Sequence, residues 1–319
     1  MTWDSVPWFV GGGAQHSPEV ARLLAYAATS GAEGIVTPGD LKVAPLAIPG
    51  SSIRVLAGAA LILNRAASGN QQTYVGRNPT EDVVAIAPTG SGSGRSDLVV
   101  AQIRDPFMPG ESWEDPDDPT VGPYIFTTVI PNVSQNTTKP PTGVSGIALA
   151  RLDIPANTAT ITSAHIKDLR KLAQPRSERQ MFSTTHSGHL QLSDATTYRT
   201  WPNVTMQVEV PAWATYADLR VNISGISQIG AFADAWIRAH IGNSVVSTSL
   251  YMDNDGWSDG IRHSTVLTAS GPLLTAERGT VITLKTSALR YTDAAHPGYY
   301  QADPATQIGF DIQFSEKAV

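Results

Sequence analysis

Leu219-Arg220-Val221-Asn222-Ile223-Ser224-Gly225-Ile226 alternates apolar and polar residues along most of its length. Successive side chains of a strand point to opposite faces, so this octet predicts a strand with one buried and one wet face. Val204-Thr205-Met206-Gln207-Val208-Glu209-Val210 repeats the pattern upstream. Residues 232–241, 244–251, 264–269, 280–286 and 307–314 continue it downstream. Together they make about eight strands at turn spacing, which predicts a jelly-roll-like β-sandwich over residues 186–319.

The N-terminal half reads differently at its start. Ser17-Pro18-Glu19-Val20 combines an N-cap serine, a proline at the first helical position and an acid in the first turn, and Ser30-Gly31 closes the segment. These signals predict one helix, with Val20, Leu23, Leu24, Ala27 and Ala28 on a face able to pack against a sheet or a second subunit. From Ile35 the period becomes that of short strands bounded by Gly, Pro, Asn and Ser. Asp97-Leu98-Val99-Val100-Ala101-Gln102-Ile103 is the most apolar of them and is expected at the centre of its sheet. Residues 105–123, rich in Pro, Asp and Glu, predict a surface excursion, and residues 163–172 a second short helix. The polar run from Ala173 to Gln180 breaks every period. The expectation is therefore a mainly β chain: a β-rich domain over 1–172 with one or two short helices, a linker at 173–185, and the sandwich.

Composition narrows the function classes. Charged residues are 16% of the 319, the formal net charge is -6, and no Lys/Arg cluster is present, which argues against a phosphate-binding surface and hence against nucleic acid. No run of eighteen apolar residues occurs and the first residues lack the regions of a signal peptide, so the expectation is a protein made in the cytoplasm and not inserted in a membrane. With no cysteine, disulfides and thiolate metal sites are excluded.

No catalytic constellation stands out, and no enzymatic activity is expected. Gly90-Ser91-Gly92-Ser93-Gly94 leads into another strand and not into the helix that a nucleophile elbow requires. Gly11-Gly12-Gly13 lacks the Lys-Ser/Thr of a phosphate loop. His186 and His189 have no third ligand at conventional spacing. Asp253-Asn254-Asp255-Gly256-Trp257-Ser258-Asp259-Gly260 crowds hard oxygen ligands into one loop. Asp253, Asp255 and Asp259 thus form a candidate Ca2+ site, although the spacing departs from an EF-hand and ordinary turn chemistry also fits; no other cofactor is implied. Aromatic residues near loops can stack on sugar rings, and Trp257, Tyr299 and Tyr300 are the candidate receptor-binding residues, whereas Trp236, inside a strand, is expected in the core.

Gly39-Asp40-Leu41-Lys42-Val43, residues 52–60, Arg95-Ser96-Asp97-Leu98-Val99-Val100-Ala101 and residues 161–170 occur in this order over residues 10–172. Together they resemble the N-terminal domain of minor tail or baseplate proteins of actinobacteriophages. The resemblance implies attachment to other phage tail proteins at the tail tip, oligomerisation, usually as a homotrimer, and a variable C-terminal domain that meets the host. On that reading the chain is a virion protein whose C-terminal sandwich binds a cell-envelope glycan. A capsid decoration protein, or another virion structural protein, shares the composition. A carbohydrate-binding module is the third reading.

Overall fold

The computed structural model describes residues 10–66, 71–193, 196–254, 260–292 and 296–319. The fold is mainly β, with one α-helix among the described residues, and the chain divides into two compact units. One spans residues up to Gln174 together with Ala318–Val319; the other is Pro175–Lys317.

In the first unit, α1 (Pro18–Thr29) begins where the sequence predicts: the Ser17 hydroxyl accepts the Glu19 N–H at 3.1 Å, and Ser30 closes the helix in the left-handed region. None of its residues is buried. Polar contacts hold it: Arg22 Nε donates to Gln72 at 2.6 Å, and its guanidinium covers the Tyr74 ring. The strands are β1 (Gly34–Ile35), β2 (Val43–Pro45), β3 (Ser52–Val55), β4 (Gly58–Leu63), β5 (Thr73–Asn78), β6 (Asp82–Ala85), β7 (Arg95–Ile103), β8 (Ile125–Val133), β9 (Gly146–Ile154) and β10 (Ile166–Asp168). They form three antiparallel sheets in the orders β1-β4-β5, β2-β3-β6 and β10-β9-β7-β8.

Strand β7 is interior, as its composition predicts. Val99, Ala101 and Ile103 join the main core with Ile53, Ile62 and Leu149, while Leu98 and Val100 face a second apolar cluster. A strand buried on both faces has no wet side to alternate with, hence the unbroken apolar run. Its charges sit at one end: Asp97 accepts from Arg95 Nε and from the Asn132 N–H, and the neighbouring Asp153 accepts from Ser96 and Arg151. The Arg151 hydrogen bonds hold the Asp153 carboxyl below the usual carboxylate range. Gly34 has φ 140°, and a Cβ there would strike the Lys171 carbonyl. Only glycine lets β1 approach that segment, where the Ile35 N–H donates to the Lys171 oxygen at 2.8 Å.

The helix expected at 163–172 is absent. A single 3-10 turn at Ser163–His165 leads into β10, which pairs with β9 from Ile166↔Leu152 to Asp168↔Ala150. Ile166, Leu169 and Leu172 recur at three-residue steps, which suits a helix, but here the same apolar residues serve an edge strand and the turn after it. Arg170 fixes the arrangement: its side chain is fully buried and forks onto the Asp168 carboxylate while donating to the main-chain oxygens of Pro38, Asp40 and Val319.

The second unit contains β11 (Ser177–Thr185), β12 (Leu190–Gln191), β13 (Arg199–Glu209), β14 (Tyr216–Ile229), β15 (Ala233–Ile241), β16 (Val245–Val246), β17 (Leu250–Asn254), β18 (Arg262–Pro272), β19 (Val281–Tyr291), β20 (Tyr299–Ala302) and β21 (Gln307–Ser315). Segment 177–185 is thus a strand and not linker. It pairs with β21 along its whole length, and Arg179 clasps Asp311 across the ladder at 2.7 and 2.6 Å. An edge strand recruited by backbone pairing buries little side chain, so no apolar period marked it in the sequence.

One sheet runs β11-β21-β14-β18, with β20 and β12 extending its far end, and the other runs β13-β19-β15-β17, with β16 beside β15. Leaving aside the short β12, β16 and β20, the orders are first-eighth-third-sixth and second-seventh-fourth-fifth, the winding of a jelly roll. The two sheets share one core, in which Leu219, Val221 and Ile223 of β14 and Phe310, Ile312 and Phe314 of β21 meet Ile237 of β15 and Leu284 of β19. The octet that decides the fold ends in a bulge. Register shifts between Ile223 and Ile226, where Gly225 takes φ 75° and a Cβ would strike the Ala305 carbonyl.

Candidate functional site

The residues singled out in the sequence separate into three groups. Trp257, Asp255 and Asp259 lie outside the described residues. Tyr300 is a core residue, 1% exposed, with its ring edge-on to His263 at 5.4 Å. The expectation that it is offered to a receptor is therefore corrected: β20 pairs with β14 through Gln228↔Tyr300, which turns the ring into the sandwich. Burial raises its hydroxyl pKa. Tyr299, the next residue, is half-buried under the Arg290 guanidinium. Asp253 is exposed on β17.

Beside Tyr300 lies a polar network built around Gln228, whose side chain is buried. Its amide donates to the Gly230 carbonyl at 3.0 Å, and its oxygen accepts from Asn254 and from His263 Nε2, the latter at 2.9 Å. Burial lowers the His263 pKa, which favours a neutral ring carrying its proton on Nε2. These bonds lock the junction of β14, β17 and β18 and leave the network structural. His186 and His189 bond to different partners, the former to Gly188 and the latter to Gln301. Among the described residues, no group of three or more His, Cys, Asp or Glu is placed to hold a metal ion, and no helix is long and apolar enough to cross a membrane.

The outer face of the β17-β15-β19 sheet is chemically richer. Along β15 the residues Ala233, Ala235, Ile237, Ala239 and Ile241 fill the core, so Asp234, Trp236, Arg238 and His240 belong to the opposite face. Trp236, expected in the core, is 38% exposed. Register then assembles two rows across three strands: Asp253, Asp234 and Tyr291, and next to it Tyr251, Trp236 and Leu289. The Trp236 and Tyr251 rings lie 4.5 Å apart between centroids at 35°. Phe232 and Tyr291 complete an aromatic set around His296, with centroids 6.5 and 5.4 Å from the imidazole.

Asp234 is the centre of this set. It is 2% exposed, its Oδ2 lies 3.4 Å from His296 Nε2, and its Oδ1 makes no hydrogen bond among the described residues. Desolvation and the Asp234 carboxylate push the Tyr251 hydroxyl up to about 12. Further along the face the Arg238 guanidinium covers the Tyr198 ring at 3.8 Å, and His240 Nε2 lies 2.7 Å from the Ser287 hydroxyl.

The first unit has an open cleft of about 340 Å³ between Glu33, Arg65, Lys139, Pro140 and Lys171. Arg65 is committed there to both oxygens of Glu33, at 2.6 and 2.7 Å. In the excursion at 105–123, Trp113 lies against the Arg104 guanidinium at 4.6 Å, which ties the segment back to the sheet and spends its most conspicuous ring on packing.

No family model and no curated protein matches the chain. Among solved structures it is similar to VP2 of infectious bursal disease virus in a subviral particle, at 10% identity over 90% of this chain and 72% of that one, with a TM-score of 0.29. The T13 particle of the same virus gives 10% identity, 90% and 70% coverage and a TM-score of 0.27. The mosquito-larvicidal Cry4Aa toxin of Bacillus thuringiensis gives 8% identity, 87% and 53% coverage and a TM-score of 0.22. The likeness to viral VP2 is distant.

Proposed function

We propose that this chain is a structural protein of a virion, acting without catalysis, and that its place is the tail tip of an actinobacteriophage. The observation that carries the reading is where the family-like motifs fall. Motifs spread over residues 39–170 supply Leu41, Val43, Ile53, Val55, Ala60, Val99 and Ile161 to one core. The segment that resembles minor tail proteins therefore coincides with one folded unit, as a tail-attachment domain should.

On this reading the first unit also oligomerises as a homotrimer. Helix α1 supports that role, because Leu23 and Leu24 are 46% and 44% exposed on a helix with no buried residue. Ile161 is buried, and Ile166 and Leu169 are half-buried against their own unit, so they add nothing to that face. The jelly roll would serve as the host-facing module for a cell-envelope glycan. Capsid and lectin domains both use this winding, which favours as second reading a protein of the capsid surface, an analogy of architecture alone.

Immunogold labelling of particles purified from cells that carry the gene tests the reading. Labelling at one end of the tail is expected, labelling over the shell favours the second reading, and unlabelled particles refute both. Leu23→Glu with Leu24→Glu should shift the full chain from trimer to monomer in sedimentation velocity. A wild-type monomer would refute the assembly role.

A further inference from the structure

We propose that the outer face of the β17-β15-β19 sheet is a binding site for a neutral glycan, with Trp236 and Tyr251 as its stacking platform and Asp234 as its hydroxyl acceptor. The proposal deepens the host-facing reading of the jelly roll and rests on it for biological context. Its site shares no residue with Trp257, Tyr299 and Tyr300.

Four of the five aromatic residues that are exposed among the described residues, Phe232, Trp236, Tyr251 and Tyr291, gather on this one face; the fifth is Phe107. Rings scattered at random over a surface would need no explanation, but four gathered on one face that also carries a buried carboxylate do. Flat apolar faces of this kind suit the C–H faces of a pyranose. The second observation is independent of the rings. Asp234 is 2% exposed, and although the Tyr251 hydroxyl and His296 interact with its carboxylate, its Oδ1 makes no hydrogen bond among the described residues. A buried acceptor left unpaired is unfavourable, and a ligand hydroxyl arriving over the platform would satisfy it.

Charge selects the ligand class. Asp253 stands directly opposite Asp234 across the strand pair, so a polyanion is repelled. Further along the same face Arg238, and Lys285 directly opposite His240, carry positive charge, which lowers the pull on a polycation. A neutral, hydroxyl-rich polymer is what remains. Arg238 on the Tyr198 ring continues the face along β15, giving a strip suited to several consecutive sugars.

Affinity electrophoresis of the full chain through gels containing soluble dextran, mannan, galactan or arabinogalactan tests the proposal, with polygalacturonate and soluble chitosan as charged controls. Retardation by at least one neutral polymer is expected. Trp236→Ala and Tyr251→Ala should each abolish it with little change in melting temperature, because both rings are largely outside the core. Asp234→Asn should weaken it about ten-fold, in line with the loss of a hydrogen bond to a charged group. Trp236→Tyr keeps a flat ring and should retain most of it. Absence of retardation by every neutral polymer, retardation by chitosan or polygalacturonate alone, or retardation that Trp236→Ala leaves intact would each overturn the proposal. So would a shift in sedimentation on Trp236→Ala without any glycan effect, which would make the face a protein interface. Particle labelling is read separately, so labelled virions without glycan binding sink only this site, and glycan binding without labelled virions sinks only the virion reading.

Discussion

Replacing Arg170 by Met should destabilise the first unit, because its buried guanidinium is the polar hub that ties Asp168 to the main-chain oxygens of Pro38, Asp40 and Val319. Its side chain is 0% exposed, whereas that of its partner Asp168 is 43% exposed and can be rehydrated. The main-chain oxygens that Arg170 satisfies are those of Asp40 at 2.6 Å, Val319 at 2.8 Å and Pro38 at 3.2 Å; Asp40 and Pro38 are half-buried and rehydrate only in part, whereas Val319 is 44% exposed. With the Asp168 charge able to rehydrate, the cost is that of leaving partly buried acceptors without their charged donor, about 1–3 kcal/mol, even when the substitute fills the space. For a unit of this size that corresponds to a melting temperature lower by roughly 2–12 °C. Calorimetry of the full chain would record it, with hydrogen exchange of α1–β10 peptides to assign the transition, since two units need not unfold together. Arg170→Lys keeps the charge but loses the planar fork and should recover only part of the loss. Deleting Ala318–Val319 removes one acceptor and should cost about 1–1.5 kcal/mol. A Met variant within about 0.5 kcal/mol of the parent would refute the assignment of Arg170 as the lock that holds residues 166–170 as strand and turn.

Three further outcomes are expected. Tyr300→Ala should cost about 3–5 kcal/mol in urea unfolding, as for other large core rings, and a neutral result would return Tyr300 to the surface. His240 should titrate by NMR near a pKa of about 4, since burial, Arg238 and Lys285 disfavour its charged form. Its folded pKa lies below the unfolded value of about 6.5, so stability is full above that pH, declines as pH falls towards 4 and flattens below; His240→Gln should remove this part of the slope. Glu316 is held below the usual carboxylate range chiefly by its hydrogen bonds with Arg176. It contributes stability above its unfolded pKa that is lost as pH falls through the lower folded one, so Glu316→Gln should flatten the acid limb of the stability profile.

How much was legible depended on what each segment buries. The helix at 18–29 carries its start and stop in the backbone chemistry of Ser17, Pro18 and Ser30-Gly31, which needs no tertiary context. Strand β7 and the alternating strands of the jelly roll announce themselves because burial imposes a period on them. Strand β11 does not: residues 177–185 are mostly exposed and owe their conformation to a ladder with β21, more than a hundred residues away. The same limit explains β10, where a three-residue apolar recurrence satisfied two geometries and only the placement of Arg170 against Pro38, Asp40 and Val319 chose between them.

The aromatic face shows the limit within a single strand. In residues 233–241 the phase was readable: Trp236 alternates with Asp234, Arg238 and His240, and small or aliphatic residues hold every other position. A ring in phase with three polar residues belongs on the wet face, so the phase of the strand, and not the hydrophobicity of the ring, decides where Trp236 lies. Tyr251 and Tyr291 are another matter, since only pairing register sets them beside Trp236 and Asp234, and no local pattern encodes register between strands separated by loops. Tyr300 shows the complementary case. It follows a Pro/Gly-rich stretch that reads as loop, yet β20 hydrogen-bonds to the end of β14 just beyond the Gly225 bulge and swings the ring inward. A jelly roll thus hides its outer-face sites from sequence reading in general. Each strand declares which of its residues are wet, but the composition of the wet surface is decided by which strands become neighbours, and in this winding the neighbours are the first and eighth, the third and sixth, and the fourth and seventh.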